Sequence, residues 1–343
     1  MDRTTASQGN PAAGAARGGL FARHGSALLL LAVIVLACAA PFLISNYRIF
    51  QLTLAFGYAV ALLGLNMLTG YNGQISLGHG AFFAIGAYVT AVLIDKAGMH
   101  YALTIPIAGV VCLAVGFLFG LPALRLEGLY LALATFALGL AVPQLLKYKY
   151  IEEWTGGVQG IVLIKPNAPF GLPLNPDQWL YFVSLFVMLV MFWAGYNILR
   201  GRVGRAMVAI RDHHTAAETM GINTALYKSL TFGVSALYTG VAGALSAIAI
   251  QFVAPDSFNI FLSISFLVGV VVGGLASIGG AVFGALFIVF IPNIAEGISK
   301  AAPWAIYGVM LILCMYVLPT GVMGLARIGM YRLRARRLRG KRA

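Results

Sequence analysis

The 343-residue chain is poor in charged side chains, and acidic residues are the scarcest of them. Charged residues make up 10% of the chain, and only ten residues are Asp or Glu, whereas about a quarter of an ordinary soluble protein is charged. Hydrophobic residues make up 60%, and several apolar stretches reach the ~20 residues that cross a bilayer as a helix. This composition excludes an ordinary soluble domain. It predicts an all-α fold, a polytopic transmembrane helical bundle.

Cysteine and the common catalytic motifs are also scarce. The three cysteines, Cys38, Cys112 and Cys314, lie in apolar stretches without ligand-like spacing, so they predict neither a disulfide framework nor a metal site. The sequence contains no GxxxxGK[ST] loop, no GxSxG and no HExxH. It therefore offers no phosphate-binding loop for ATP hydrolysis and little support for catalysis. We expect no cofactor and no metal in this chain.

The positions of the ten acids bear on how transport would be driven. Each acid lies in a tail, in a loop or near the end of a predicted span, and none falls at mid-bilayer. Proton- and sodium-coupled carriers commonly depend on ionisable groups inside the membrane. Their absence disfavours an ion-coupled secondary carrier without excluding it, because ion sites can also be built from backbone groups. Separate ATPase subunits are the expected source of energy.

About ten spans are predicted, with both termini in the cytoplasm; a broken helix would make the count nine or eleven. They cover residues 27–44, 49–68, 74–94, 102–121, 126–146, 179–199, 229–250, 259–276, 281–297 and 304–323. This topology leaves only six of the 23 Lys and Arg outside, as the positive-inside rule requires. Residues 1–24 are predicted to be a disordered cytoplasmic tail, 25–325 the transmembrane domain, and 326–343 a basic cytoplasmic tail. The basic tail favours contact with anionic lipid; RNA binding there is a weaker alternative, and we expect no nucleic-acid partner.

One sizeable polar island interrupts the cytoplasmic side, at residues 200–228. Within it, Asp212 is predicted to cap a short helix, and residues 215–218 fill the first turns of that helix. Gly221 is predicted to end the helix in the left-handed conformation. Because a capped helix of two turns is too short to fold alone, the pattern predicts that it docks into a partner.

A second polar segment, at residues 66–80, lies among the predicted spans. Amides, hydroxyls and an imidazole in lipid must be paired or must line a cavity, so the segment indicates either a translocation path or hydrogen bonding between helices. Several glycines permit a broken helix there. His79 is interpreted as a structural partner rather than a proton relay. The candidate path residues are Asn66, Thr69, Asn72, Gln74, Ser76, His79 and, from the repeat described next, Ser277.

Residues 73–84 recur in similar form at 274–285, an offset of 201 residues. Paired, glycine-interrupted hydrophobic segments in two halves are typical of discontinuous helices around a transport pathway. Six predicted spans separate the two copies, which implies parallel repeats; a span count off by one would make them inverted, as is common in transporters. A chance match of short Gly, Ser and Ala motifs is an equal alternative.

Glycine spacing and the longest loop carry two further expectations. Gly is frequent, with 41 residues, and the small-xxx-small pairs at 116/120, 269/273 and 280/284 predict close helix packing.

The loop at 147–178 is too polar and too rich in proline to cross lipid. It is expected outside, either as a docking surface for a soluble partner or as a cap on the bundle.

Three of these segments resemble a known family. Residues 68–82 read LTGYNGQISLGHGAF and are similar to the signature of the LivM-type permease subunits of branched-chain amino acid ABC importers. The island resembles the coupling loop of that family, and Thr155-Gly156-Gly157 with Gly160 resembles its outer-loop motif. The likeness covers about residues 30–325. By this resemblance the coupling residues are Arg211, Asp212, Ala216, Ala217, Glu218 and Gly221.

The resemblance implies a non-enzymatic subunit in a bacterial inner membrane that translocates Leu, Ile and Val. It also implies a second, related permease, two cytoplasmic ATPases that use the ATP, a periplasmic solute-binding protein, and contact with membrane lipid. Permeases for urea and short-chain amides look similar, so those substrates are the alternative. An ion-coupled carrier and a membrane enzyme are the remaining hypotheses.

Overall fold

The computed structural model describes residues 32–123, 126, 128–169, 173–298, 303–317 and 321–325. The tails predicted at 1–24 and 326–343 lie outside these residues, so both stay predictions. The described chain is mostly helical, which confirms the all-α prediction. A single two-stranded pairing is the only sheet found in the described part of the chain.

The helices are numbered here in chain order. They are α1 (Ala32–Leu43), α2 (Asn46–Asn66), α3 (His79–Asp95), α4 (Tyr101–Ala123), α5 (Leu129–Leu146), α6 (Glu152–Thr155), α7 (Pro176–Arg200), α8 (Arg202–Asp212), α9 (His214–Thr219), α10 (Thr224–Ile250), α11 (Ile260–Gly273), α12 (Ile278–Ile298) and α13 (Pro303–Val317). A π-helical turn, Met67–Tyr71, continues α2, and a 3₁₀ turn, Pro255–Phe258, precedes α11. Strands β1 (Ile161–Val162) and β2 (Phe252–Val253) pair antiparallel.

Each of the ten predicted spans coincides with a helix. Six of the described helices are long and apolar enough to cross a membrane, and three further apolar helices are shorter. The chain is therefore a multi-pass membrane protein by length and composition of its helices, and the exact number of crossings stays a prediction. Two starts differ by five residues. Helix α3 begins at His79 rather than at 74, because residues 72–78 are not helical, and α10 begins at Thr224 rather than at 229.

Helix α10 forms the centre of the compact unit that begins at Phe50. Of an apolar 18-residue stretch of α10, 83% is buried, against 22% for α7. Helix α10 packs mainly on α3 and α4. Small residues allow this approach: a Cβ at Gly86 of α3 would run into Gly240 of α10, and one at Gly243 would run into the carbonyl of Phe83. In lipid, such close packing replaces the hydrophobic driving force between helices.

Helices α11 and α12 cross at the glycine pairs expected from the sequence. A Cβ at Gly273 would meet the backbone of Gly280, and a Cβ at Gly284 would meet the backbone of Gly269. The predicted packing role of these four glycines is confirmed. Gly116 and Gly120 of α4 likewise face α10, so the third predicted pair also lies at a helix interface.

The loop between α5 and α7 is tied to the bundle at several points. Strand β1 pairs with β2, which follows α10, and Lys147 forms an ion pair with Asp256. Within the glycine motif, Thr155 donates its hydroxyl to the carbonyls of Leu146 (2.8 Å) and Ile151 (3.0 Å). These contacts hold the loop against the end of α10 and the start of α11.

Candidate coupling and translocation site

The polar island folds as two helices, α8 and α9, rather than as the single short helix expected. One face of α8 is buried through Gly204, Ala206, Met207 and Ile210. Apolar residues three and four apart form such a stripe along a helix. The spacing of Ala206, Met207 and Ile210 therefore indicates α8, although no helix was predicted there.

Helix α9 ends as predicted, and it begins differently. Gly221 has φ +81°; its N–H donates to the Glu218 carbonyl (2.9 Å), and the N–H of Ile222 donates to the Ala217 carbonyl (3.1 Å). These two bonds form a Schellman motif, which satisfies carbonyls at the helix end. The prediction that Asp212 caps the helix was wrong. Asp212 is the last residue of α8, and α9 follows His213 without a side-chain cap.

The Asp212 carboxylate pairs instead with its neighbour Arg211. Nε of Arg211 donates to Oδ1 of Asp212 at 2.9 Å, and Nη2 lies 2.9 Å from the same oxygen. Nη1 of Arg211 donates to the carbonyl oxygen of Gly70 at 2.8 Å. Arg211 therefore ties the end of α8 to the π-helical turn that ends α2. Hydrogen bonds from a charged donor are stronger than neutral ones, so this is a firm link between the island and the bundle.

The remaining coupling residues divide between a buried and an exposed face of α9. Ala217 is 4% exposed, and Ala216 and Met220 are exposed, Met220 at 85%. The carboxylate of Glu218 accepts from the hydroxyl of Thr224 at 2.7 Å. Helix α9 is thus fastened to α10 from one side and presents its other side, with an apolar Met220, away from the bundle.

The segment between α2 and α3 is a broken helix, as its glycines allowed. The side-chain amide of Asn66, at the end of α2, reaches the segment before α12: Nδ2 donates to the Ser277 carbonyl (2.8 Å), and Oδ1 accepts from the Ala276 N–H (2.9 Å). The N–H of Gly80, in the first turn of α3, donates to Oγ of Ser263 (2.9 Å). Backbone groups left free by the breaks are therefore satisfied by side chains from other helices, as the bilayer interior requires.

His79 lies in a chain of hydrogen bonds between α2, α3 and α10. Its Nε2 lies 2.7 Å from Oγ of Ser235, and its Nδ1 lies 2.9 Å from Oγ of Ser76. Ser235 donates to the Gly64 carbonyl at 2.7 Å. Because the Ser235 proton is committed there, its oxygen accepts from Nε2–H, and Nδ1 accepts from Ser76. With this assignment, both ring nitrogens of His79 and the hydroxyl of Ser235 have hydrogen-bond partners.

The end of α2, which leads into the first of the two similar segments, contacts the second segment. Residues 72–78 precede α3 and residues 274–277 precede α12, and Asn66 joins the π-helical turn to the second segment. Oγ of Ser76 accepts from the Gly78 N–H, and Oγ of Ser277 accepts from the Gly280 N–H, both at 3.4 Å. The starts of α3 and α12 both lie near the end of α2, through His79–Ser235–Gly64 and through Asn66. That the two copies are parallel repeats stays a prediction.

Other path candidates have polar atoms without a partner in the described residues. These are the hydroxyl of Thr69 and both side-chain atoms of the Asn72 amide. Asn72 is 3% exposed, and with Gln74 it lines a cavity of about 250 Å³ between the break, the start of α5, and helices α8 to α10. Arg211, His214 and Lys228 also line this cavity. No cluster of His, Cys, Asp and Glu suited to a metal ion occurs in the described ranges.

Comparison with known proteins places the chain in a family. Residues 47–318 match the family model described as branched-chain amino acid transport system, permease component. The chain is 34% identical over 323 residues to LivM of Escherichia coli strain K12, a high-affinity branched-chain amino acid transport system permease protein, with 88% of this chain and 75% of LivM aligned. It is 26% identical to BraD of Pseudomonas aeruginosa, over 80% of this chain and 93% of BraD, and 27% identical to LivH of E. coli K12, over 79% and 92%.

No solved structure matches the chain. The family model covers most of the chain, and it includes the broken segment, α8 and α9, and the α11–α12 crossing. This chain belongs to the family of permease components of branched-chain amino acid transport systems.

Proposed function

We propose that this chain is one of two permease subunits of an ATP-binding-cassette importer that carries branched-chain amino acids across a bacterial inner membrane. It acts without an ATPase site or cofactor of its own. A second, related permease completes the pathway, two cytoplasmic ATPases supply the energy, and a periplasmic binding protein delivers the substrate. The family membership and the similarity to both LivM and LivH support this assignment.

The observation that carries the mechanism is the attachment of α9. This helix presents Met220 outward, and its neighbour α8 is bound through Arg211 to the carbonyl of Gly70 at the helix break. When the ATPases close and displace α9, the movement would therefore be passed through Arg211 to the π-helical turn. It would also affect the neighbouring hydrogen bonds of Asn66 to residues 276 and 277. Such a path is a physical link between a docking surface and the middle of the bundle, the kind of two-site connection that coupling requires.

Gly221→Val tests this role. Gly221 has φ +81°, and a Cβ there would meet nothing within 4 Å, so the substitution acts through backbone conformation alone. A β-branched residue at a positive φ costs about 1–3 kcal/mol. This strain destabilises the Schellman motif that ends α9. With the sister permease, ATPases and binding protein in proteoliposomes, we expect ATP-driven leucine uptake to fall at least about tenfold, with normal amounts of protein in the membrane.

Gly98→Val is the matched control. Gly98 has φ +58° and also has open space around a Cβ, but it lies in the turn between α3 and α4, far from α9 in the chain. If both variants lose uptake equally, general instability explains the loss and the coupling role fails. Uptake of urea or a short amide in place of leucine would replace the substrate assignment. Uptake by this chain alone, driven by an ion gradient, would overturn the importer assignment altogether.

A further inference from the structure

Helix α7 is the long helix most open to lipid. Of an apolar 18-residue stretch of α7, 22% is buried, less than in any other long helix of the described chain. Residues three or four apart share one face of a helix, and the exposed residues at this spacing are Phe186, Val190, Trp193, Tyr196 and Arg200. Along this face, apolar residues lead to an aromatic pair and then to a cation. This order is typical of a helix that leaves the membrane on the cytoplasmic side.

The aromatic pair places Arg200 at the level of the lipid headgroups. Trp and Tyr are enriched at the membrane–water interface, and Arg200 lies four residues, about 6 Å, beyond Tyr196. One headgroup layer is about 5–8 Å thick. The guanidinium of Arg200 lies over the ring of Tyr196, with Cζ 4.3 Å from the ring centre. This contact holds the cation at the depth where lipid phosphates lie.

Two further arginines lie at the junction between α7 and α8. Helix α8 begins at Arg202, and the side chains of Arg202 and Arg205 are exposed. Nη1 of Arg205 donates to the carbonyl oxygen of Arg200 at 3.3 Å, so this guanidinium reaches back to the end of α7. Within the described ranges, none of the three arginines forms an ion pair with an acid. Neighbouring cations repel one another, and an anion bound between them would offset that repulsion.

The described acids on this side of the bundle lie toward the other end of α8. Asp212 ends α8, about 15 Å along the helix from Arg202, and Glu218 lies beyond it in α9. The turn between α4 and α5 is also near that end, because Leu126 and Gly128 line a cavity with the last turn of α8. The charge at the start of α8 therefore favours an anionic partner from outside the chain.

We propose that the α7–α8 junction binds the phosphate headgroup of an anionic phospholipid from the adjoining leaflet. Charge complementarity selects an anion, and the exposed face of α7 selects a lipid. The same face carries Trp193 and Tyr196, which contact the upper acyl chains while the arginines bind the phosphate. A soluble anion would use only the arginines, and an acidic protein surface would leave the aromatic pair in lipid.

The headgroup fixes one end of α8 at the membrane surface. At its other end, α8 is bound through Arg211 to the carbonyl of Gly70. Movement of α9 then turns α8 about its fixed start and is passed to the helix break, instead of shifting α8 as a whole. Binding of the lipid is independent of the proposed function, whereas this effect on transport rests on it.

The binding test uses the full chain in lipid nanodiscs, with Trp193 retained and the other three tryptophans replaced by Phe. In bilayers of equal phosphatidylglycerol and phosphatidylcholine, brominated phosphatidylglycerol should quench Trp193 fluorescence more strongly than brominated phosphatidylcholine. Arg202→Gln and Arg205→Gln should each reduce the resulting preference for phosphatidylglycerol about fivefold. A chain that retains only Trp179, at the opposite end of α7, is the matched control and should show no preference.

A second measurement needs no tryptophan replacement. A lipid that binds the folded state raises the thermal midpoint, so phosphatidylglycerol should raise the midpoint of the detergent-purified chain more than phosphatidylcholine does. Arg202→Gln/Arg205→Gln should remove this difference, and Lys96→Gln, at an exposed lysine after α3, should retain it. Equal quenching of Trp193 by the two lipids, an unchanged preference in the double variant, or an equal midpoint shift with inorganic phosphate would each overturn the proposal.

The transport test compares proteoliposomes with and without phosphatidylglycerol. With the sister permease, ATPases and binding protein present, this lipid should speed ATP-driven leucine uptake by wild type and by Lys96→Gln, and not by Arg202→Gln/Arg205→Gln. If the double variant responds to the lipid as wild type does, the site has no role in transport. If it is slow in every bilayer but keeps the Trp193 preference, the arginines contact a protein subunit and the lipid site is refuted. A wild-type complex that imports no leucine in any bilayer would refute the proposed function, and the quenching result would still decide the lipid site.

Discussion

Single buried polar residues hold the breaks in this bundle together. Asn66 supplies one donor and one acceptor to the segment before α12, and His79 joins Ser76 to Ser235. The Asn66 amide satisfies backbone groups that a continuous helix would have paired internally, whereas His79 joins the hydroxyls of two serines. Their first effect is therefore on the shape and stability of the break, whatever part of the path they also line.

Asn66→Ala should show this effect most clearly. The substitution leaves the Ala276 N–H and the Ser277 carbonyl without their partner in a buried site, at a cost of about 1–3 kcal/mol for each group. We expect a lower thermal midpoint for the detergent-purified protein. Asn259→Ala is the control, because Asn259 is exposed and makes no side-chain cap at the start of α11. An unchanged midpoint for Asn66→Ala would show that the bridge contributes nothing to stability.

At the scale of elements, glycine positions decide how closely helices approach. The crossing of α11 and α12 depends on backbone contact at Gly269, Gly273, Gly280 and Gly284. Dispersion and weak hydrogen bonds at such crossings stabilise helix pairs in lipid, where burying apolar surface adds little. The same glycines place the segment at 274–277 against Asn66, so the crossing also positions the break.

Gly284→Ala is expected to push helices α11 and α12 apart. The added methyl meets the Gly269 carbonyl, and overpacking of this kind costs about 1–3 kcal/mol. Gly297→Ala, on the same helix but in open space, should be neutral or stabilising by up to about 1 kcal/mol, since alanine favours a helix over glycine. The comparison is made on thermal midpoints of the two purified variants. Equal midpoints would mean that the α11–α12 contact is not tight.

At the scale of the whole molecule, polar features separate to the two ends of the bundle. Helices α8 and α9 and both helix breaks lie together at one end through Arg211, Gly70 and Asn66. The β1–β2 pair and the Lys147–Asp256 ion pair join elements that follow α5 and α10, where those helices end. The distribution of Lys and Arg predicts that the first end faces the cytoplasm.

Cysteine labelling tests this orientation. In a background with the three native cysteines replaced by alanine, Ile164→Cys and Met220→Cys place thiols at sites that are 92% and 85% exposed. In intact spheroplasts without the ATPase subunits, a membrane-impermeant maleimide should label the first and not the second. After permeabilisation both should react. Labelling of Met220→Cys from outside would reverse the topology and remove the basis for the coupling role.

Much of this protein follows from local sequence. Apolar runs predict the helices, because a helix in lipid must satisfy its backbone internally, and Gly221 marks the end of α9 because its left-handed conformation suits glycine. The glycine spacing also predicts which faces pack. The prediction that Asp212 caps α9 was wrong, because the sequence does not show whether a carboxylate accepts from a backbone N–H or from the arginine beside it.

Only the tertiary structure decides which distant groups meet. Arg211 reaches Gly70 across 141 residues, and Asn66 reaches Ser277 across 211. Many serines, glycines and asparagines in the chain have the same local preferences, so no local rule selects these pairs. The selection comes from helix crossings that bring particular backbones within contact distance. For the same reason the cavity beside α8, with one wall from each of several helices, exists only in the folded bundle.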